Sequence, residues 1–524
     1  MTLMREGLLN IVDPARVLSA DEDRAIYAQD VYREGVIPAF VVRPESVVQL
    51  QAIVALADTE RWAVVPRGGA MSYTGGIVPQ TERTVVIDLS DLNRVLEINQ
   101  QDMTVTVEAG CSWAALYDAL QPTGLRTTYW GTLSGKYATV GGSVSQNSIF
   151  WGSGQYGSAA DNVLGMDVVL ADGSLLSTGS GAQRNSAHFM RHFGPDLTGL
   201  FTSDCSALGV KARITLRLVP QRSQRRFISA SFPDFAAQST AMVAVSRSEM
   251  TSECFGFDPF LQGQRLRRES LATDMKALTG VMKAAGGVGN ALREGARVAL
   301  AGRGFIDKQD WSLHLVVEDF SEAGVQHRER RVLELLREAG GEIVENTIPK
   351  VLSAHPFGPV NNMIGPQGER WVPVHALVPH GKAQQVYDAT EAVFDRHRAA
   401  ILEHEIGCGY LLATIATNVF VLEPVFFWPD ALNELHRASV DATHLKKIKG
   451  FAPNRAAREA VAAIREELVT TYETLGASHL QLGKAYHYQS GLRPENRALI
   501  GAIKAVLDPN GIMNPGVLGF GDIA

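Results

Sequence analysis

The sequence predicts a multi-domain α+β protein, and three observations carry that prediction. With 524 residues the chain exceeds what a single hydrophobic core accommodates. Residues 1–220 contain strand patterns interrupted by two long glycine-rich stretches. Residues 221–455 alternate strand and helix patterns, as an antiparallel sheet with helices on one side would.

Composition narrows the function classes. A net charge of −7 argues against a nucleic-acid binder, which needs a basic face to neutralise phosphates. Cys111, Cys205, Cys254 and Cys408 form no C-x-x-C pair, so neither a disulfide framework nor a zinc site is expected, and a reducing cytoplasm is the expected compartment. Residues 1–13 lack a signal-peptide pattern, and no apolar run is long enough to span a bilayer.

Taken in order, residues 46–57 repeat apolar positions at helical spacing and lead to a strand at 62–65. That strand runs into Pro66-Arg67-Gly68-Gly69-Ala70-Met71-Ser72-Tyr73-Thr74-Gly75-Gly76. Glycines in such a turn let a ligand approach the main chain, and consecutive N–H groups form an anion-binding nest. The stretch is neither a dinucleotide G-x-G-x-x-G nor a P-loop, and by itself a glycine-rich turn is more often just a turn. Strands at 84–89, 95–98 and 104–108 follow, then a helix at 113–120 capped by Ser112. The second glycine-rich stretch runs from Ala138 through Thr139, Gly141, Gly142, Ser143, Asn147, Tyr156 and Gly157 to Asn162. Small polar residues dominate it, which suits either close packing on a flat polar ligand or a long surface loop. A hairpin at 163–177 turns on Asp172-Gly173. Within 221–455, strands are expected at 227–232, 311–317, 371–377 and 414–427, and helices at 326–339 and 382–397.

The ordered series Pro66-Arg67-Gly68-Gly69, Val86-Ile87-Asp88-Leu89, Thr139-Val140-Gly141-Gly142, Tyr156-Gly157, Asp161-Asn162, Ala171-Asp172-Gly173 and Leu208-Gly209-Val210 resembles the FAD-binding domain of the vanillyl-alcohol oxidase/p-cresol methylhydroxylase flavoprotein superfamily. The likeness covers roughly residues 30–220, and Asp508-Pro509-Asn510-Gly511-Ile512-Met513-Asn514-Pro515 resembles the superfamily's C-terminal return to the flavin domain. It implies a two-domain fold with an FAD-binding part at 1–220, an antiparallel-sheet cap for the substrate at 221–455, and a returning segment at 456–524. By the same resemblance Pro66 to Ser72 with Gly75 and Gly76 wrap the pyrophosphate, while Thr139, Gly141, Gly142, Ser143 and Asn147 lie along the flavin and its ribityl chain. Tyr156, Gly157, Asn162, Gly209, Val210 and Asn514 complete the cofactor set. Many members tether the flavin through a histidine in the first loop; Met71 stands at the matching place, and a thioether cannot form that link, so non-covalent FAD is expected there. A homodimer is implied by resemblance only.

Alcohol oxidation at FAD needs a substrate C–H held over the ring and a base for the hydroxyl proton. Glu423 lies between apolar residues in Val421-Leu422-Glu423-Pro424-Val425, where a carboxylate needs a partner or a raised pKa, which makes it the first candidate acid. His375 and Arg370 are further strand candidates, although a lone strand histidine is more often structural. Tyr486 and His487 precede the returning tail and are candidate proton acceptors, with Arg493 a candidate for binding an anion. Hydroxy-acid oxidising relatives carry two histidine-rich metal-binding runs; the matching regions here, Ala413 to Val419 and His479 to Gly483, lack those ligands, and no metal is expected. An aromatic alcohol substrate is therefore favoured over a 2-hydroxy acid, with oxygen, a quinone or a cytochrome as electron acceptor. A flavin-binding docking protein without turnover is the rival from another class. The basic residues among 274–305 read as a solvated helix pair or as a peripheral contact with a membrane or electron-accepting partner.

Overall fold

The computed structural model describes residues 1–268 and 310–521. The basic stretch at 274–305 therefore lies outside the described residues. Those described form mixed helix and antiparallel sheet arranged as two lobes, the architecture expected above.

In the first lobe, Ser46 caps the helix Val47–Thr59 by accepting the Gln49 N–H, and Val47, Leu50, Ile53, Val54 and Ala57 form its buried stripe. That helix connects the parallel strands Phe40–Val42 and Ala63–Arg67, which both pair with, or flank, the fully buried Thr84–Asp88 in a four-stranded sheet. A six-stranded antiparallel sheet follows, centred on Val210–Pro220 between Thr104–Glu108 and Val163–Val169. The chain's end returns here: Val64 N–H donates to Ile512 O and Asn514 N–H to Val64 O, each at 2.8 Å.

The second lobe is built on an eight-stranded sheet. Its central order is Gln224–Phe232, Trp311–Asp319, Glu253–Phe257, Gly407–Ile415 and Val419–Trp428, with Arg370–Pro373 at the edge. The helices Phe235–Ser248, Glu322–Glu338, Ala383–Arg396 and Arg455–Thr474 cover it, the last burying Ala457, Val461, Ile464, Leu468 and Tyr472.

Two expected strands are each divided. Residues 414–427 belong to two strands turning at Ala416-Thr417-Asn418, with Ala416 at φ 49°; the turn contains neither glycine nor proline, the usual punctuation. Residues 371–377 split into Arg370–Pro373 and Ala376–Pro379, and the break falls at Val374-His375. This break frees the His375 ring from the pleat.

The glycine loop crosses the seam between the lobes. Val64 lies in the core of the first, whereas Ala70, Tyr73 and Ile77 pack into that of the second. Buried Arg126 and Glu318 pair at 2.6 Å across the same seam.

Candidate cofactor and substrate site

A large cavity opens at this seam, about 1820 Å³ including the solvent at its mouth. One wall is Pro66, Arg67, Gly68, Gly69, Ala70, Met71, Ser72 and Gly76; facing it are Thr139, Gly141, Gly142 and Ser143. The two walls approach too closely for side chains: a Cβ on Gly69 would sit 1.8 Å from Tyr137 O, and one on Gly141 2.7 Å from Ala109 O. Glycine is therefore demanded by packing at both positions.

The remaining cofactor candidates stand behind these walls. Gly75 N–H donates to buried Asp30 at 2.6 Å. Asn514 Nδ2 donates to Gly76 O and Cys205 O, which fixes the loop from below. Asn147 (φ 52°) ends the helix Val140–Gln146 and accepts from Ala160 N–H. Asn162 joins Thr128 to Tyr129 O, and Tyr156 Oη meets Arg222. Gly157 turns the chain at φ 94°, a Cβ on Gly209 would meet Val168 at 2.5 Å, and Val210 opens a central strand.

This lining fits FAD. Two glycine-rich main-chain walls carry the hydroxyls of Ser72, Thr139, Ser143, Ser145 and Ser148, the donors a pyrophosphate and a ribityl chain need, and Arg67 and Lys211 line the same cavity. Lys211 is buried with Asp204 as its acceptor. The local sequence does not single it out, because Arg213 and Arg217 stand in the same strand.

On the second lobe's side, the cavity is lined by Phe255, Trp371, Leu411 and Ala413 with His375, Glu423 and Glu253; Phe150 joins them from the first lobe. His375 is held on every polar atom. Its main-chain N–H donates to Tyr486 Oη at 2.8 Å, and its carbonyl accepts from His479 Nδ1 at 2.6 Å. Its Nδ1 lies 3.1 Å from Tyr486 Oη and its Nε2 2.9 Å from Tyr73 Oη. With the ring proton on Nε2, Tyr486 Oη accepts the main-chain N–H and donates its own proton to Nδ1. Tyr73 Oη then accepts from Nε2 and from Gln481 Nε2 at 2.9 Å, so its own O–H is left to donate to a third group. Glu423 Oε2 is 3.6 Å from His375 Nε2. Burial pulls the His375 pKa down to about 3, keeping the ring neutral, and raises both tyrosines.

The structure thus brings together His375, Glu423 and, one layer behind, Tyr486. It does not bring the others. Arg370 is buried away from the cavity, donating to Tyr32 O at 2.8 Å and to Val31 O. His487 points outward between Glu466 (2.9 Å) and Glu473 (3.0 Å); burial alone would lower its pKa, but those hydrogen bonds raise it. Arg493 is exposed at the start of the helix Pro494–Leu507. Tyr73, Gln481 and Glu253 were not among the candidates, although Tyr73 stands inside the glycine loop itself.

Fold and cavity together fit a two-lobed protein that holds FAD at the seam. Comparison with known proteins agrees: residues 38–179 match the FAD binding domain model, and residues 455–518 match the model of the C-terminal domain of FAD linked oxidases. The chain therefore carries an FAD binding domain and a segment like the C-terminal domain of FAD linked oxidases, and FAD is its cofactor.

Among curated proteins it is 28% identical over 249 residues to a glycolate oxidase subunit of Bacillus subtilis, covering 47% of this chain and 51% of that protein. It is 34% identical over 189 residues to the mitochondrial D-lactate dehydrogenase (cytochrome) of Arabidopsis thaliana, covering 36% and 32%. The matches thus span about a third to a half of those relatives. Against the alkyldihydroxyacetonephosphate synthase of Caenorhabditis elegans it is 25% identical over 421 residues, 75% of this chain and 69% of that one.

Two solved structures share the fold along nearly the whole chain. P-cresol methylhydroxylase with substrate bound has TM-score 0.73 at 16% identity, covering 99% of this chain and 96% of that one. The 4-ethylphenol oxidase of Gulosibacter chungangensis in complex with isoeugenol has 0.68 at 16%, covering 99% and 97%. Among the described residues no helix is long and apolar enough to cross a membrane.

Proposed function

We propose that this protein oxidises the hydroxyl-bearing carbon of a small alcohol to a carbonyl, with a neutral aromatic alcohol favoured over a 2-hydroxy acid. FAD supplies the hydride acceptor. Phe150, Phe255, Trp371 and Leu411 give an aromatic ring an apolar, water-poor seat. Tyr73 donates its O–H to the substrate oxygen, and neutral His375, locked by Tyr486, holds Tyr73 in place. Glu423 takes the hydroxyl proton as the carbonyl forms.

One observation carries the choice of a neutral substrate: among the described residues, the second lobe's share of the lining contains two carboxyl groups and no lysine or arginine. A 2-hydroxy acid would bring a carboxylate beside Glu423 with no cation to pair it, at a cost of several kcal/mol. The hydroxy-acid reading is kept as the alternative because of the glycolate and D-lactate relatives. We further propose that FAD is held at the first loop without a covalent bond, Met71 offering only a thioether there.

Anaerobic stopped-flow reduction of the flavin tests the roles. Glu423→Gln should slow it by about 10²–10⁴-fold and Tyr73→Phe by about 10²-fold, with FAD still bound. His487→Ala, outside the cavity, should change it by less than about twofold. A Glu423→Gln enzyme reducing its flavin at the parent rate would remove Glu423 from the proton transfer.

A further inference from the structure

A second acid faces the cavity without a role in that chemistry. Glu253 is buried on the strand Glu253–Phe257, and its Oε1 accepts the Gly152 N–H at 2.7 Å. The nearby cations are both committed elsewhere: Arg126 and Arg225 bind Glu318 at 2.6 and 2.7 Å. Burial, reinforced by the Glu318 charge, pushes the Glu253 carboxyl well above the ordinary carboxylate range. A buried carboxyl with no ion-pair partner among the described residues is held as the neutral acid, which must donate an O–H. Gly152 N–H is itself a donor and cannot receive that proton. Because Glu253 lines the cavity, that O–H is available to what occupies it.

Strand register locates this donor relative to the reacting end. Glu423 pairs with Leu411 and Leu411 with Phe257, so Glu253 stands two strands across and four residues along from Glu423. At ~4.8 Å per strand and ~3.4 Å per residue, their Cα positions are about 16 Å apart. Both belong to the face whose floor is Phe255, Ala413 and Val421.

We propose that Glu253 is a substrate-recognition residue whose carboxylic O–H donates to a carbonyl, ether or hydroxyl oxygen at the far end of an elongated aromatic alcohol. This rests on the alcohol-oxidising reading of the cavity. Allowing one hydrogen bond of ~2.8 Å at each end, the two substrate oxygens are about 10 Å apart.

The test has two arms on the FAD-loaded protein. Infrared spectra at neutral pH should contain a carboxylic-acid C=O band that disappears in Glu253→Gln; its absence from the parent overturns the proposal whatever the substrate. Binding of two aromatic alcohols matched except for a distal oxygen is then read by perturbation of flavin absorbance. Glu253→Leu should lower the preference for the oxygen-bearing alcohol about tenfold, while Glu253→Gln, which keeps a donor, holds it within about threefold. An unchanged preference in Glu253→Leu overturns the assignment. So does a shifted flavin spectrum and weakened FAD affinity of the substrate-free variant, which would make the cofactor the acceptor. Should neither alcohol reduce the parent flavin, the functional reading fails, yet the binding preference still decides the role of Glu253.

Discussion

Acidification should destabilise this protein through two histidines that the fold holds neutral. His375 and His436 are 2% and 0% exposed, and burial draws each from 6.5 to about 3. Above about pH 6.5 both folded and unfolded states carry these rings uncharged, and the shift has no effect on stability. As pH falls through the window from about 6.5 to about 3, the unfolded chain takes up protons that the folded chain refuses, so stability is progressively lost. At ~1.36 kcal/mol per unit, a fall of about two units below 6.5 removes roughly 2–3 kcal/mol for each histidine. That is a large part of a typical stability of about 5–15 kcal/mol. The assay is urea unfolding from pH 7 down to about 4.5, for the parent, His375→Asn and His436→Asn. Each variant should be less stable at pH 7, yet its stability should fall less steeply with acid, by about one proton in the slope. Taking the difference between variant and parent at each pH removes the contribution of carboxyl groups common to both. Parallel curves would refute the claim that these rings are held neutral.

Two further predictions concern the cofactor. Gly69→Ala puts a Cβ 1.8 Å from Tyr137 O, so the two walls must part by more than an ångström; FAD binding should weaken by about 10²-fold, read by fluorescence titration, and unweakened binding would show that the walls do not grip the cofactor. Acid precipitation of the yellow protein should leave the colour in solution, whereas colour in the pellet would place a covalent link that Met71 cannot make.

The glycine loop and the returning tail were legible because each is local: a short run of residues dictates its own conformation, and the bridge from Val64 to Met513 joins two such runs. The reacting cluster was legible only in part. Tyr73, His375, Glu423 and Gln481 meet through strand pairing and loop closure across hundreds of residues, which no local period encodes. Tyr486 and His487 illustrate the limit most plainly. They are neighbours in sequence, yet one turns inward to His375 and the other outward to Glu466 and Glu473. Glu253 and Lys211 escaped notice for another reason: Glu253 is a single charge in an otherwise apolar strand and Lys211 one of three basic residues in its strand, and only burial beside the cavity distinguishes them from solvated residues.

The most direct test of the account is an anaerobic titration of the FAD-loaded protein with a panel of aromatic alcohols, aliphatic alcohols and 2-hydroxy acids, followed by loss of the flavin's visible absorbance. The account predicts bleaching by aromatic alcohols, fastest for those extended by a second oxygen function, and slow or no bleaching by 2-hydroxy acids. Rapid bleaching by a 2-hydroxy acid with none by any alcohol would contradict it.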